Sequence, residues 1–197
     1  MTIKAVIFDL DGTLTKPLLD FDQIRAEMGL DGKSIGILEA LEIMSPQERT
    51  KAEAVLHKHE KFAAENSCLN HNAAEVLNKL RQDNYPIGIL TRNTMENALR
   101  VCRKHNLVFD AMIDRNSGPA KPDGFGVRTL CETFGAQSRQ TLVVGDFLHD
   151  VQAANNTGAV SVLLKTHADA DKFEALADYS ILHLEQIFDI IAKINNS

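Results

Sequence analysis

The sequence predicts an α/β protein in which a doubly wound parallel sheet carries a small all-helical insertion. Two observations predict the sheet: short apolar runs rich in β-branched residues, and helical patterns that separate most of these runs. Continuous apolar runs of this length are typical of strands buried on both faces of a parallel sheet. A third observation predicts the insertion, because the long stretch after the first run contains only helical patterns.

The predicted strands alternate with helices along most of the chain. They lie at residues 5–8, 87–90, 111–113, 141–144 and 160–164. Alternation over residues 75–165 implies right-handed βαβ units. Residues 1–15 and 75–197 are therefore predicted to form a Rossmann-like core.

Two helices of the predicted core have recognisable start signals. Asn72 precedes Glu75 by three residues, and Asn93 stands in the same relation to Glu96. A polar residue followed three positions later by Glu is typical of a capping box. We therefore expect helices to begin at Asn72 and at Asn93.

Residues 16–74 interrupt the alternation with three helical patterns in series. The first lies around Phe21 and Met28, and the second begins at Ile35. The third begins at Ser45, where an N-cap residue and a proline precede Glu48. We interpret this stretch as a helical cap inserted between the first two strands.

Composition excludes several classes of function. The 197 residues are 44% hydrophobic and carry a net charge of −6, which is typical of a globular protein without a nucleic-acid-binding surface. No apolar run approaches the length of a membrane span or a signal peptide, so a cytoplasmic location is expected. The three cysteines form no CxxC pair and are expected to be small core residues. A monomer and a homodimer both remain open.

Polar residues follow the predicted strands, at the edge where functional loops of a parallel sheet converge. This set comprises Asp9, Asp11, Thr13, Thr91, Arg92, Asn93, Lys121, Asp146 and Asp150. A carboxylate can attack phosphorus, and a second carboxylate can protonate the leaving oxygen and then activate water. Mg²⁺ prefers oxygen ligands, and a hydroxyl and an ammonium group can stabilise the transferring phosphoryl group. The combination therefore predicts phosphoryl transfer.

Four motifs in this set resemble the signature motifs of the haloacid dehalogenase-like superfamily. They are DLDGTL at residues 9–14, the Leu90-Thr91 pair, Lys121-Pro122-Asp123, and GDFLHD at residues 145–150. All four occur in the order found in that family and span the core almost end to end. The insertion after the first motif is similar to the helical cap of the phosphoglycolate phosphatase-like branch.

The resemblance implies a catalytic role for four residues. Asp9 would be the nucleophile and Asp11 the general acid and base. Thr91 would bind the phosphate, and Lys121 would steady both the phosphate and the nucleophile.

The resemblance also implies a Mg²⁺ site. Its ligands would be the Asp9 side chain, the Asp11 backbone carbonyl and the Asp146 side chain. Asp150 would lie outside the direct ligands, where it would hold metal-bound water or orient Lys121.

Candidate substrate contacts beyond the motifs follow from position alone. Arg92 and Asn93 directly follow Thr91, although Asn93 is at least equally well explained as a helix N-cap. Arg25, Lys33 and Ser34 lie in the predicted cap, where a substrate anion or solvent would be their neighbour.

The sequence thus predicts a Mg²⁺-dependent phosphatase that acts on a small phosphorylated metabolite through an aspartyl-phosphate. A phosphomutase needs the same two aspartates and the same metal, so it remains an alternative. A dehalogenase is disfavoured, because its chemistry needs neither a metal nor an acid at the position of Asp11. A catalytically silent binding module of the same fold is the alternative outside enzymes.

Overall fold

The structure of the protein, a computed structural model, describes residues 1–30 and 35–197. The chain forms two compact units, one comprising Met1–Pro17 with Ser67–Ser197 and the other comprising Leu18–Asn66. No helix in the described ranges has the length and apolar character needed to cross a membrane.

The larger unit contains a six-stranded parallel sheet with the strand order β3-β2-β1-β4-β5-β6. The strands are β1 (Ala5–Phe8), β2 (Ile87–Leu90), β3 (Ala111–Ile113), β4 (Thr141–Gly145), β5 (Val160–Leu164) and β6 (Tyr179–Ile181). The predicted doubly wound parallel sheet is therefore confirmed. The sequence missed β6, because three residues with an exposed serine in the middle give no continuous apolar run.

Nine α-helices occur in the described part of the chain. They are α1 (Phe21–Glu27), α2 (Ile37–Ile43), α3 (Pro46–Asn66), α4 (Ala73–Gln82), α5 (Met95–Lys104), α6 (Phe125–Thr133), α7 (Leu148–Asn155), α8 (Ala170–Phe173) and α9 (Ile187–Asn195). The helices of the larger unit cover the apolar strands, as a parallel sheet requires. Every residue of β1 is fully buried, so this strand lies at the centre of the core.

The position of β1 also determines where loops gather. It lies between β2 and β4, with Phe8 opposite both Ile89 and Val144. The strand order therefore reverses its direction along the sheet at β1, and ligands of such folds bind beyond the carboxyl ends of the strands at this point. Asp9 is the first residue after β1.

The smaller unit is formed by α1, α2 and α3 around an apolar cluster of its own. Ile24, Leu41, Ala52 and Leu56 are buried in this cluster. The start of α3 matches the predicted capping box, because the Ser45 amide donates to Glu48 Oε2 at 3.1 Å. The second helix begins two residues later than predicted, at Ile37.

The larger unit includes residues that the sequence analysis assigned to the insertion. The stretch after α3 pairs with the segment that follows the first motif. The Lys16 amide donates to the Cys68 carbonyl at 2.9 Å, and the Asn70 amide donates to the Leu14 carbonyl at 2.9 Å. These non-local hydrogen bonds leave no periodic signal, so the sequence could not place residues 16–17 and 67–74 in the larger unit. Cys68 is exposed rather than a core residue, whereas Cys102 and Cys131 are buried as predicted.

Candidate active site

The loop after β1 turns sharply and brings its backbone close to the carboxylate of Asp146. The amides of Leu14 and Thr15 both donate to the Leu10 carbonyl, at 3.0 and 2.9 Å. Gly12 has φ +100°, and a Cβ at this position would overlap the carboxylate of Asp146. Glycine is therefore required for both the backbone conformation and the close approach.

Lys121 joins two carboxylates at the centre of the site. Its Nζ donates to Asp9 Oδ1 and to Asp150 Oδ1, each at 2.5 Å, and all three side chains are buried. Burial alone would lower the pKa of Lys121, but the charges of Asp150 and Asp9 outweigh it and raise that pKa. Lys121 is therefore held as a cation.

The pKa of Asp9 is raised well above its usual range. Burial is the main cause, and the nearby Lys121 charge opposes it. The carboxylates of Asp150 and Asp146 raise the pKa further. One lysine thus fails to compensate the negative charge that the cluster places around Asp9.

Asp146 has no cation as its direct partner in the described residues. Its Oδ1 accepts a hydrogen bond from the Thr13 hydroxyl at 3.0 Å. Burial and the charge of Asp150 raise the pKa of Asp146 to about 7. Carboxylate oxygens of Asp9, Asp146 and Asp150 all lie within 4.8 Å of one another, so these three residues form a carboxylate cluster.

Asp150 has two structural contacts besides its place in this cluster. Its Oδ2 accepts a hydrogen bond from the amide of Phe147 at 3.1 Å and so caps α7, while its Oδ1 accepts from Lys121. The structure places Asp150 where it makes both kinds of contact.

Asp11 points to a different neighbour. Its half-buried carboxylate accepts a hydrogen bond from Asn93 Nδ2 at 3.0 Å. Burial raises the pKa of Asp11, while the Asn93 hydrogen bond and the Lys121 charge lower it. The Asp11 carboxylate is not a member of the three-residue cluster.

The N-cap interpretation of Asn93 is wrong. The N-cap of α5 is Thr94, whose hydroxyl accepts a hydrogen bond from the Asn97 amide at 3.4 Å. The side chain of Asn93 bonds Asp11 instead, and its backbone amide donates to Thr91 Oγ1 at 3.0 Å. Since Thr91 accepts this bond, its own hydroxyl hydrogen can be donated to a ligand.

The two arginines among the predicted substrate contacts both bond backbone carbonyls. Arg92 Nη1 donates to the carbonyl of Lys121. Arg25 belongs to the smaller unit, where it is buried and its Nη1 donates to the Ile35 carbonyl at 2.6 Å. A solvated position for Arg25 is therefore wrong. Substrate contact by either arginine stays a prediction, and Lys33 and Ser34 lie outside the described residues.

Sequence reasoning missed two residues that hold the first motif in place. Asn70 Nδ2 donates to the carbonyls of Gly12 and Thr13, at 3.1 and 2.9 Å. Thr166 Oγ1 donates to the Gly12 carbonyl at 2.7 Å. Asn70 belongs to no motif, and Thr166 lies two residues after β5, a strand that the apolar runs predicted. The position of Thr166 just after a predicted strand was the one signal that the sequence offered for either residue.

Comparison with known proteins identifies the family. The sequence profile of the haloacid dehalogenase-like hydrolases matches residues 3–158, which include all four motifs. The chain belongs to this family. The predicted resemblance is thereby confirmed, and the site lies at the strand ends of a haloacid dehalogenase-like hydrolase.

Relatives within the haloacid dehalogenase-like family include enzymes of two names. The chain is 27% identical to a putative pyrophosphatase of Clostridium perfringens over 98% of this chain and 100% of that protein. It is 28% identical to a phosphoglycolate phosphatase of Haemophilus influenzae over 81% of this chain and 84% of that protein. A hydrolase structure from Pseudomonas syringae has the same fold, with a TM-score of 0.82, 19% identity, and coverage of 97% and 99%.

Proposed function

We propose that this hydrolase is a Mg²⁺-dependent phosphatase that hydrolyses a small phosphorylated metabolite through an aspartyl-phosphate on Asp9. The observation that carries the proposal is the buried carboxylate cluster of Asp9, Asp146 and Asp150. Lys121, whose Nζ lies 2.5 Å from Asp9 Oδ1, is the only cationic side chain that bonds this cluster among the described residues. The relatives named as phosphatases support the same class of reaction.

The residues of the cluster fit a divalent cation. Three buried carboxylates and one lysine would carry an uncompensated negative charge if all were ionised. Hard oxygen ligands at this spacing are those that Mg²⁺ uses in proteins. We assign Asp9 and Asp146 as side-chain ligands, with the Asp11 backbone carbonyl, and leave Asp150 bonded to Lys121. When bound, Mg²⁺ neutralises the charge on the transferring phosphoryl group and on the nucleophile.

In the first proposed step, an oxygen of Asp9 attacks phosphorus and the bond from phosphorus to the ester oxygen breaks. Asp11 gives its proton to that leaving oxygen. A carboxyl group with a raised pKa is suited to this, since it remains partly protonated nearer to neutral pH. Lys121 and the Thr91 hydroxyl donate to the oxygens of the transferring group.

In the second proposed step, water attacks phosphorus of the aspartyl-phosphate. Asp11, now a carboxylate, takes a proton from that water, and the bond between phosphorus and Asp9 breaks. Inorganic phosphate leaves and the Asp9 carboxylate is restored. Lys121 holds Asp9 throughout, because its other hydrogen bond fixes it to Asp150.

We further propose that the smaller unit, Leu18–Asn66, is the cap that selects the substrate. The motif residues recognise only the phosphoryl group, so a different part of the chain must recognise the rest of the molecule. The inserted unit is joined to the core immediately after the first motif. Arg25 remains a candidate substrate contact, although it is buried and its Nη1 donates to the Ile35 carbonyl.

The deciding experiment replaces the nucleophile. Asp9→Asn is nearly isosteric, so it should abolish turnover while circular dichroism shows an intact fold. The panel should contain phosphoglycolate, sugar phosphates, nucleotides, pyrophosphate and p-nitrophenyl phosphate, each with Mg²⁺ and with EDTA. Asp189→Asn, which changes an exposed aspartate of α9, is the matched control and should retain full activity.

Three results would contradict the proposal. Substantial turnover by folded, uncontaminated Asp9→Asn protein would remove Asp9 from the mechanism. Full activity in EDTA would remove the metal. If the wild type moves phosphate to a second position on the substrate faster than it releases phosphate, the enzyme is a phosphomutase.

A further inference from the structure

The Asn97 side chain is polar and buried, and only one of its two polar atoms has a hydrogen-bond partner among the described residues. It lies on α5 with no exposed surface, and its Nδ2 donates to Asn93 Oδ1 at 3.2 Å. No described residue bonds its Oδ1, which is also buried. A buried acceptor without a partner lowers stability, and an apolar residue of similar size would avoid that loss.

The side chain of Asn97 is also unnecessary for the start of α5. The contact that caps this helix uses the backbone amide of Asn97, which donates to the Thr94 hydroxyl. Any residue except proline provides that amide. Within the described residues, the one hydrogen bond that depends on the Asn97 side chain is its bond to Asn93.

This bond is one of two that determine which end of the Asn93 carboxamide faces Asp11. Asn93 Oδ1 accepts from the Thr94 amide at 2.8 Å and from Asn97 Nδ2, while Asn93 Nδ2 donates to Asp11 Oδ2 at 3.0 Å. The reversed carboxamide would place its oxygen against the Asp11 carboxylate. It would also place its NH₂ group against two donors. Two donors at the oxygen therefore fix the orientation.

We propose that Asn97 is a positioning residue, which acts through Asn93 to hold the Asp11 carboxyl group where it transfers its proton. This inference rests on the proposed function, in which Asp11 is the general acid. Small displacements of a catalytic group lower rates steeply, so a residue that is linked to Asp11 through two successive hydrogen bonds can affect the chemistry. Asn97 lies outside the four motifs, six residues after Thr91.

The test compares Asn97→Leu with Val101→Ala. Leucine has the same number and branching of side-chain heavy atoms as Asn97 and removes the hydrogen bond. Val101 is equally buried on the same helix and contributes only apolar contacts. Each variant is assayed for kcat/KM with p-nitrophenyl phosphate, whose leaving group needs little protonation, and with glycerol phosphate, whose leaving group needs full protonation.

Asn97→Leu should lower kcat/KM for glycerol phosphate about ten- to a hundredfold, part of the rate that general acid catalysis supplies. The loss with p-nitrophenyl phosphate should be smaller, and the melting temperature should be unchanged or higher. Val101→Ala should lower the melting temperature and affect both esters by the same factor. Equal losses with both esters for Asn97→Leu, or no loss, would overturn the inference.

A second measurement does not depend on activity. In ¹⁵N-labelled protein, hydrogen exchange of the Asn93 side-chain amide should be about tenfold faster in Asn97→Leu, since the carboxamide loses one of its two anchoring donors. An unchanged exchange rate would overturn the inference. If exchange rises but the wild type hydrolyses no phosphate ester, the positioning is supported and the proposed phosphatase function is what fails.

Discussion

Replacing Asp146 with asparagine should stabilise the metal-free protein, and the gain should increase with pH. Burial, together with the charge of Asp150, raises the pKa of Asp146 from 3.8 to about 7. The unfolded chain therefore releases this proton at lower pH than the folded chain does. Between these two pKa values the folded state binds more protons, so this group lowers stability as pH rises.

The magnitude follows from the two pKa values. Each pH unit between them corresponds to about 1.4 kcal/mol, so the full penalty above pH 7 is about 4 kcal/mol. At pH 5 the penalty is about 2 kcal/mol, because only the pH interval from 3.8 to 5 has then contributed. Asparagine carries no charge, and its Oδ1 can still accept the hydrogen bond from Thr13.

Urea unfolding in EDTA at pH 5 and pH 8 measures these differences between Asp146→Asn and wild type. The control Asp189→Asn changes an exposed aspartate and should stay within about 0.5 kcal/mol of wild type at both pH values. Mg²⁺ should stabilise the wild type more than Asp146→Asn, because a ligand of the folded state stabilises it in proportion to its affinity. The reasoning is refuted if Asp146→Asn is no more stable than wild type at pH 8 in EDTA.

Three further changes test neighbouring parts of the site. Lys121→Met should destabilise the metal-free protein by about 3–5 kcal/mol in urea unfolding, because it leaves two buried carboxylates without their cation; unchanged stability would contradict this. Asp11→Asn should lower kcat/KM with an alkyl phosphate by about 10²–10⁴-fold and leave Mg²⁺ affinity intact, so a loss of affinity would make Asp11 a side-chain ligand. Asn70→Ala should lower the free energy of unfolding by about 1–3 kcal/mol, since two carbonyls lose a donor, and an unchanged value would show that other donors replace it.

The sequence alone determined the fold class and the position of the site along the chain. Five of the six strands lie where apolar runs predicted them. This was possible because burial on both faces of a parallel sheet leaves a local signal in the sequence. The residues after those strands could then be expected at one edge, since parallel strands direct their carboxyl ends the same way.

Tertiary structure decided which of these residues bond one another. Lys121 could have steadied Asp9 alone, yet its Nζ bonds both Asp9 and Asp150. Asn93 has a sequence context that favours an N-cap, but the N-cap of α5 is the next residue, Thr94. The side chain of Asn93 donates to Asp11 instead. These choices depend on loop paths and side-chain rotamers, which no periodic pattern encodes.

The contacts that sequence could not provide join residues far apart in the chain. Asn70 bonds the carbonyls of Gly12 and Thr13, 58 and 57 positions earlier, and Thr166 bonds the Gly12 carbonyl from 154 positions away. A carbonyl group accepts a hydrogen bond from any suitable donor, so it places no demand on residue type at a particular distance along the chain. The motifs identify which groups perform the chemistry. Only the folded chain determines which donors hold them in position.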